Sequence, residues 1–396
     1  MYRALFTLIL TNICVITLQT DCAGEDPDIY LSTPQIIRRH GYPSEAHVVR
    51  TEDGYLLTLH RIPYGRISSS KPKKVAFLQH GLLSSSADWI LNGPNRSLAY
   101  VLADQNFDVW LGNARGNTYS RAHVSLLSDD LKFWNFTWHE MGVRDLPAVI
   151  DYILNKTNQR SLFYVGHSMG TTMFFAMAST KPEYGSKVKG MFAMAPVTYV
   201  GHIKSPIRFL APWAKDIRLI TNFFGDGAFL PNNKVMQFLT KYGCEILYWE
   251  KEICTNIIFV LCGFDRAQFN MSMLPLLLSH SPAGTSSKTV VHYAQEVNSG
   301  KFRQFDYGKL RNMEIYGTTD PPEYNISAIK TPIALFYATN DWLAHPIDVQ
   351  HFYEQLKNKI GKFLVKYPGF NHLDFVWGKD AKTLVYDQMI KIMKTL

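Results

Sequence analysis

Short apolar runs separated by stretches of helical periodicity restrict this 396-residue chain to few architectures. The runs fall at 75–78, 107–111, 162–165, 191–195, 333–337 and 363–365. Most are continuously apolar, which suits parallel strands covered on both faces. Helices are expected between them at 98–105, 141–154 and 171–179, with Pro147 an obstacle inside the second. Repeated strand–helix units predict an α/β domain built on a mostly parallel, doubly wound sheet. Upstream, 48–62 reads as two strands around the turn Glu52-Asp53-Gly54, a hairpin at the edge of that sheet.

The alternation stops near Val197 and resumes at Ala328. The intervening stretch, 197–325, is rich in Phe, Leu, Ile, Met and Pro, and an insertion between two core strands is the expected form of a cap over a site. The expected division is therefore a core of 25–196 and 326–396 with a cap at 197–325. With 46% hydrophobic and 19% charged residues the chain can bury a large core, which excludes a disordered protein. No repeat is present, which excludes a solenoid.

Met1-Tyr2-Arg3 followed by an apolar run to Leu18 predicts a signal peptide over 1–24, cleaved after Gly24 or near Thr20. No later apolar run is long enough to span a bilayer. The segment 1–24 carries one base (Arg3) and one acid (Asp21), so the net charge of +8 survives its removal. That excess suits anionic lipid surfaces as well as plain solubility, and no basic stretch with interleaved aromatics points to nucleic acid. Sequons at Asn95, Asn135, Asn155, Asn270 and Asn325 agree with a secretory route, and most of the five are expected to be glycosylated. Of the five cysteines, Cys14 and Cys22 fall in the leader. Cys244, Cys254 and Cys262 allow one bridge, for which the short loop between Cys244 and Cys254 is the first choice.

The chemistry centres on Gly166-His167-Ser168-Met169-Gly170. Gly-x-Ser-x-Gly arises by chance in about one chain in ten of this length. Here an apolar strand precedes it and a helix follows, the context of a nucleophile held on a strained turn. A serine hydroxyl needs a base to take its proton and a carboxylate to orient that base. The run 333–337 leads into Ala338-Thr339-Asn340-Asp341, placing Asp341 at a strand's end; 363–365 leads through Pro368-Gly369 to His372 at the same sheet edge. Among thirteen histidines, position discriminates. His167 lies inside the elbow and is expected to point away from Ser168, His345 is too near Asp341 in sequence, and His351 belongs to the next helix. Asp348, in that helix, and Asp374, beside His372, are the alternative acids. Backbone N–H groups of Met169, after the nucleophile, and of Leu82, in Gln79-His80-Gly81-Leu82-Leu83 after an early strand, are the expected oxyanion donors. No metal or organic cofactor is called for.

With these residues in place the chain resembles the animal acid lipase family, which includes gastric and lysosomal acid lipases, over nearly its whole length after the leader. The resemblance rests on Gly41-Tyr42-Pro43-Ser44-Glu45, Thr51-Glu52-Asp53-Gly54-Tyr55, Arg61-Ile62-Pro63 and His80-Gly81-Leu82-Leu83. It rests equally on Asn113-Ala114-Arg115-Gly116-Asn117, the serine pentapeptide, Ser281-Pro282-Ala283-Gly284-Thr285 and Asn371-His372-Leu373-Asp374-Phe375. It implies an α/β-hydrolase fold, a lid at about 232–262, a Cys244–Cys254 disulfide, and hydrolysis of triacylglycerols or steryl esters at a lipid–water interface by a secreted or lysosomal, monomeric protein. It departs at Met169, where vertebrate members carry Gln. The apolar cap independently favours long acyl chains. A non-catalytic lipid-binding or storage protein on the same scaffold is the competing reading, opposed by the complete triad.

Overall fold

The computed structural model describes residues 26–67, 71–215, 227–230 and 259–396. The leader, Cys244, Cys254 and nearly all of 232–262 lie outside the described residues.

The strands form where the sequence pattern puts them. β1 (Glu45–Arg50) and β2 (Leu56–Ile62) make the hairpin, and β3 (Lys74–Gln79), β4 (Phe107–Leu111), β5 (Leu162–His167) and β6 (Val188–Met194) follow. β7 (Ala228–Phe229) and β8 (Thr285–Ser286) pair apart from the main sheet; β9 (Ile333–Tyr337) and β10 (Lys359–Leu364) complete it. The eight-stranded order is β1-β2-β4-β3-β5-β6-β9-β10, parallel from β4 to β10, with the β1–β2 hairpin joined antiparallel. Every residue of β4 and β5 is buried, as unbroken apolar runs require of central strands. β1 instead alternates exposed residues with half-buried or buried ones, as an edge hairpin does.

Two expectations shift. The last strand is Lys359–Leu364 rather than 363–365, and it is half-exposed because it is the sheet's outer edge, where alternation of Lys with apolar residues replaces a solid apolar run. The helix expected at 141–154 starts earlier, at Trp138, and ends at Thr157 before the left-handed Asn158. Pro147 is accommodated by a π-helical turn, Met141–Asp145, in which Leu146 N–H reaches back to Met141 O. The wider turn absorbs the proline ring and its missing donor without ending the helix.

The chain runs from β3 outward to β4, then returns across β3 to β5 and onward to β10. The strand order therefore reverses between β3 and β5, and in open α/β sheets the crevice beyond the carboxyl ends of two such strands is where ligands bind. The loops leaving β3 and β5 carry His80-Gly81 and Ser168. Between β6 and β9 the described chain contributes no strand to the main sheet; it holds β7, β8 and the helices Leu274–His280, Ser287–Ser299 and Lys309–Tyr316.

Candidate active site

β5 ends at His167 and a helix starts at Met169, leaving Ser168 alone at the turn with φ 52° and ψ −121°. Such a conformation costs a non-glycine residue about 1–3 kcal/mol and must be held by its surroundings. Ser168 N–H donates to Met194 O on β6 at 3.1 Å, and Ser168 O accepts from Thr171 N–H at 2.8 Å and Thr171 Oγ1 at 2.7 Å. The turn also packs hard against β3: a Cβ on Gly170 would lie 2.2 Å from Gln79 O, so only glycine fits there.

His372 Nε2 lies 2.8 Å from Ser168 Oγ. Its Nδ1 faces both oxygens of Asp341, at 3.0 and 2.9 Å. Asp341 Oδ1 also accepts N–H bonds from Leu343 (2.9 Å) and Ala344 (2.8 Å). Those donors favour the ionised carboxylate, which in turn keeps the imidazole proton on Nδ1 and leaves Nε2 free to accept from the serine. Asp341 and His372 are buried and Ser168 is half-buried, so the hydroxyl is the member within reach of a ligand. The residues singled out in the sequence thus converge. Asp348 instead binds His202 at 2.7 Å, and Asp374 accepts from Asn371 N–H.

The loop after β3 approaches from the other side. A Cβ on Gly81 would sit 3.0 Å from Ser168 Cβ and 3.5 Å from its Oγ, so Leu82 belongs to a turn in contact with Ser168. Met169 N–H opens the helix Met169–Thr180 and lies at its positive end. Leu83, with φ 62°, is another strained non-glycine residue, and its carbonyl accepts from Ala283 N–H at 2.6 Å.

Several positioning residues carried no signal in the sequence beyond the resemblance. His80 Nδ1 donates to Gly81 O at 2.8 Å, while Nε2 accepts from Ala114 N–H (3.0 Å) and Asn117 Nδ2 (3.2 Å). Burial draws its pKa down to about 4, against the opposing Gly81 bond, so a neutral ring holds the loop. Asn113 Oδ1 accepts from Ser86 N–H at 2.9 Å, and its Nδ2 donates to Thr58 O. Arg115, fully buried, is clasped between Asp145 and Asp53, with NH1 2.7 Å from Asp53 Oδ2. Burial alone would raise the Asp53 carboxyl, but the Arg115 guanidinium outweighs it and holds it well below the usual range. His167, expected to point away from Ser168, donates Nε2–H to His372 O at 2.9 Å.

A further strap crosses the site. Cys262 O accepts from both Trp342 N–H and His372 N–H at 3.4 Å, Gly263 O accepts from Asn371 Nδ2 at 2.9 Å, and Phe264 O accepts from Asn340 Nδ2 at 2.9 Å. At Gly263 (φ +114°) a Cβ would be 2.2 Å from Asn340 O, so this backbone threads between the Asp341 and His372 loops. Cys262 itself is a buried free thiol.

Residues 77–379 match the family described as alpha/beta hydrolase fold, and 33–93 match the partial alpha/beta-hydrolase lipase region. The chain is 45% identical to Lipase 3 of Drosophila melanogaster, covering 91% of this chain and 92% of that one. It is 43% identical to human gastric triacylglycerol lipase and 42% identical to human lysosomal acid lipase/cholesteryl ester hydrolase, each covering 93% of this chain and 92% of the relative. The chain belongs to the animal acid lipase family. This lipase is accordingly a carboxylic ester hydrolase on the α/β-hydrolase fold.

The side chains of Asn95, Asn135, Asn155 and Asn325 are exposed and Asn270 is half-buried, so all five sequons are open to a glycan at least in part. Among the described residues no helix is long and apolar enough to cross a membrane, and no group of three or more His, Cys, Asp or Glu is placed to hold a metal ion.

Proposed function

We propose that this lipase hydrolyses neutral lipid esters, triacylglycerols or steryl esters, through an acyl-enzyme on Ser168. The observation that carries the reading is His372 Nε2 at 2.8 Å from Ser168 Oγ with Nδ1 on Asp341. As Ser168 Oγ attacks the ester carbonyl, His372 takes its proton, and Asp341 stabilises the imidazolium so formed. The N–H groups of Leu82 and Met169 hold the developing oxyanion. Collapse breaks the ester C–O bond, His372 returns the proton to the leaving alcohol, and water then attacks the acyl-enzyme by the same route in reverse.

The substrate class is supported by relatives named for triacylglycerol and cholesteryl ester hydrolysis. On this reading 197–325 is a cap over the crevice, with a lid at about 232–262 bridged by Cys244–Cys254, and 1–24 directs a monomeric protein to the secretory route, outside the cell or to lysosomes. Labelling with a fluorophosphonate followed by peptide mapping tests the nucleophile: a single adduct on Ser168 is expected. A folded protein that takes no label there while still binding long-chain esters would favour a lipid carrier instead. Hydrolysis assays with triolein and cholesteryl oleate across pH then rank the substrates.

A further inference from the structure

One buried carboxylate, unused by the proposed reaction, joins the loop that carries Leu82 to the segment that carries His372. Asp88 lies in the short helical turn Ser86–Trp89, just after the β3 loop, and is 4% exposed. Its Oδ2 accepts the Ser84 hydroxyl, and its Oδ1 accepts the indole Nε1–H of Trp377 at 3.3 Å. Among the described residues no cation pairs with it, and the nearby Tyr386 hydroxyl donates instead to Phe375 O at 2.6 Å. Burial pushes the Asp88 carboxyl up to about 6, against those two donors. A buried acid without a cation costs stability that an apolar side chain of the same size would not, so its two bonds call for an explanation.

Ser84 closes the turn after β3. Its N–H donates to Gly81 O at 3.4 Å, its Oγ accepts Ser85 N–H at 2.6 Å, and its carbonyl accepts Asn117 Nδ2 at 3.3 Å. That turn holds Leu82 and the strained Leu83, and its Gly81 packs against Ser168. Trp377 ends the helix Asp374–Trp377, and its N–H donates to Leu373 O at 2.8 Å, one residue beyond His372. Asn92 Nδ2 adds a second tie between the same two segments, donating to Val376 O at 3.1 Å. An indole N–H can only donate, and Ser84 Oγ already accepts one N–H, so a carboxylate is the group that satisfies both at once.

We propose that Asp88 is a positioning residue that clamps the oxyanion turn Gly81–Ser84 to the helix following His372, through Ser84 on one side and Trp377 on the other. The two segments address one reacting centre from different strands: Leu82 N–H arrives from β3 and His372 Nε2 from the loop after β10. Both must meet the same tetrahedral adduct on Ser168, so their separation bears on the transition state more than on substrate binding. Without the clamp the turn is free to shift against the base, and the oxyanion donor drifts from the place where charge develops.

The inference rests on the proposed roles of Leu82, Ser168 and His372, and the experiment separates the two. kcat and KM for a soluble short-chain ester, and Ki for an alkyl trifluoromethyl ketone, are measured for the wild type, Asp88→Ala, Asp88→Asn, Ser84→Ala, Trp377→Phe and Ser168→Ala. Addition of Ser168 Oγ to the ketone carbonyl gives a hemiketal whose oxygen stands where the ester oxyanion would, so Ki reads the placement of the donors. Asp88→Ala is expected to lower kcat about tenfold and raise Ki by a similar factor, with KM changed less than about twofold. In Asp88→Asn the side-chain carbonyl accepts from Trp377 and the amide donates to Ser84 Oγ, so most of both losses should be recovered. Ser84→Ala and Trp377→Phe each open one side of the clamp and should shift kcat and Ki in the same direction, with the double variant no worse than the poorer single one. An Asp88→Ala protein with the wild-type Ki overturns the clamp, as does an Asn variant no better than Ala. Where Asp88→Ala does not fold, wild-type Ki values in Ser84→Ala and Trp377→Phe overturn it equally; activity surviving in Ser168→Ala overturns the catalytic reading instead.

Discussion

The imidazole of His167 donates to the main-chain carbonyl of His372 at 2.9 Å, so the residue before the candidate nucleophile is tied to the backbone of its candidate base. The rings lie 5.1 Å apart, and burial draws His167 down to about 3, so this strut is neutral at ordinary pH. Replacing His167 with Phe keeps the bulk and removes the donor. The orphaned carbonyl should cost about 1–3 kcal/mol of stability, and a misplaced base should lower kcat about tenfold with little change in KM. Steady-state kinetics on a soluble ester, with a denaturant melt alongside, measure both.

Asp341→Asn should leave the backbone turn intact while removing the charge that fixes the His372 tautomer. A loss in kcat of about 10⁴-fold is expected, without loss of fold. Burst kinetics with a chromogenic ester would show the acylation step slowed; activity within tenfold of the wild type would assign the acid elsewhere.

Arg115 predicts a stability defect rather than a chemical one. It is buried and bonded to two carboxylates, so Arg115→Met strands Asp145, leaves Asp53 with Arg144 and Thr51 alone, and should destabilise by about 3–5 kcal/mol. Urea unfolding monitored by tryptophan fluorescence checks the magnitude.

Acid should weaken the fold through its buried histidines. Burial brings His60 and His80 to about 4 and His167 to about 3, below the ordinary value near 6.5. A depressed value means that the unfolded chain takes up protons first, so their contribution is intact above about 6.5 and lost as pH falls towards 4. Each site contributes a slope of about 1.4 kcal/mol per pH unit within that window. Calorimetry at pH 6.5, 5.5 and 4.5 on the wild type and His60→Asn should show a decline shallower by about one proton in the variant; equal slopes would mean that His60 is not held neutral.

Ser168 and Asp341 were legible in the sequence because each follows an apolar run that suits a buried inner strand, and His372 because it follows the next strand in chain order; parallel strands deliver their following loops to one edge. Chain order did the rest. The edge strand Lys359–Leu364 was blurred for the same reason: half-exposed, it alternates instead of running apolar. The helix through Pro147 was misjudged at its ends because a π turn is invisible to a 3.6-residue period. His80, Asn113, Asn117 and Ala283 act through hydrogen bonds between segments distant in sequence, and no local pattern announces such bonds.

The thread at Gly263 bears on how new specificities could be made from this scaffold. A chimaera that exchanges the apolar insertion between relatives would ordinarily be cut at the borders of the insertion, yet such a cut would carry Cys262 to Gln268 away with the donor. Those residues seat the loops that carry Asp341 and His372, with Gly263 backed against Asn340 O and bonded to Asn371. A transplant that leaves 262–268 native, and exchanges only what precedes and follows it, keeps the recipient's backbone bonds to Asn371, His372 and Trp342.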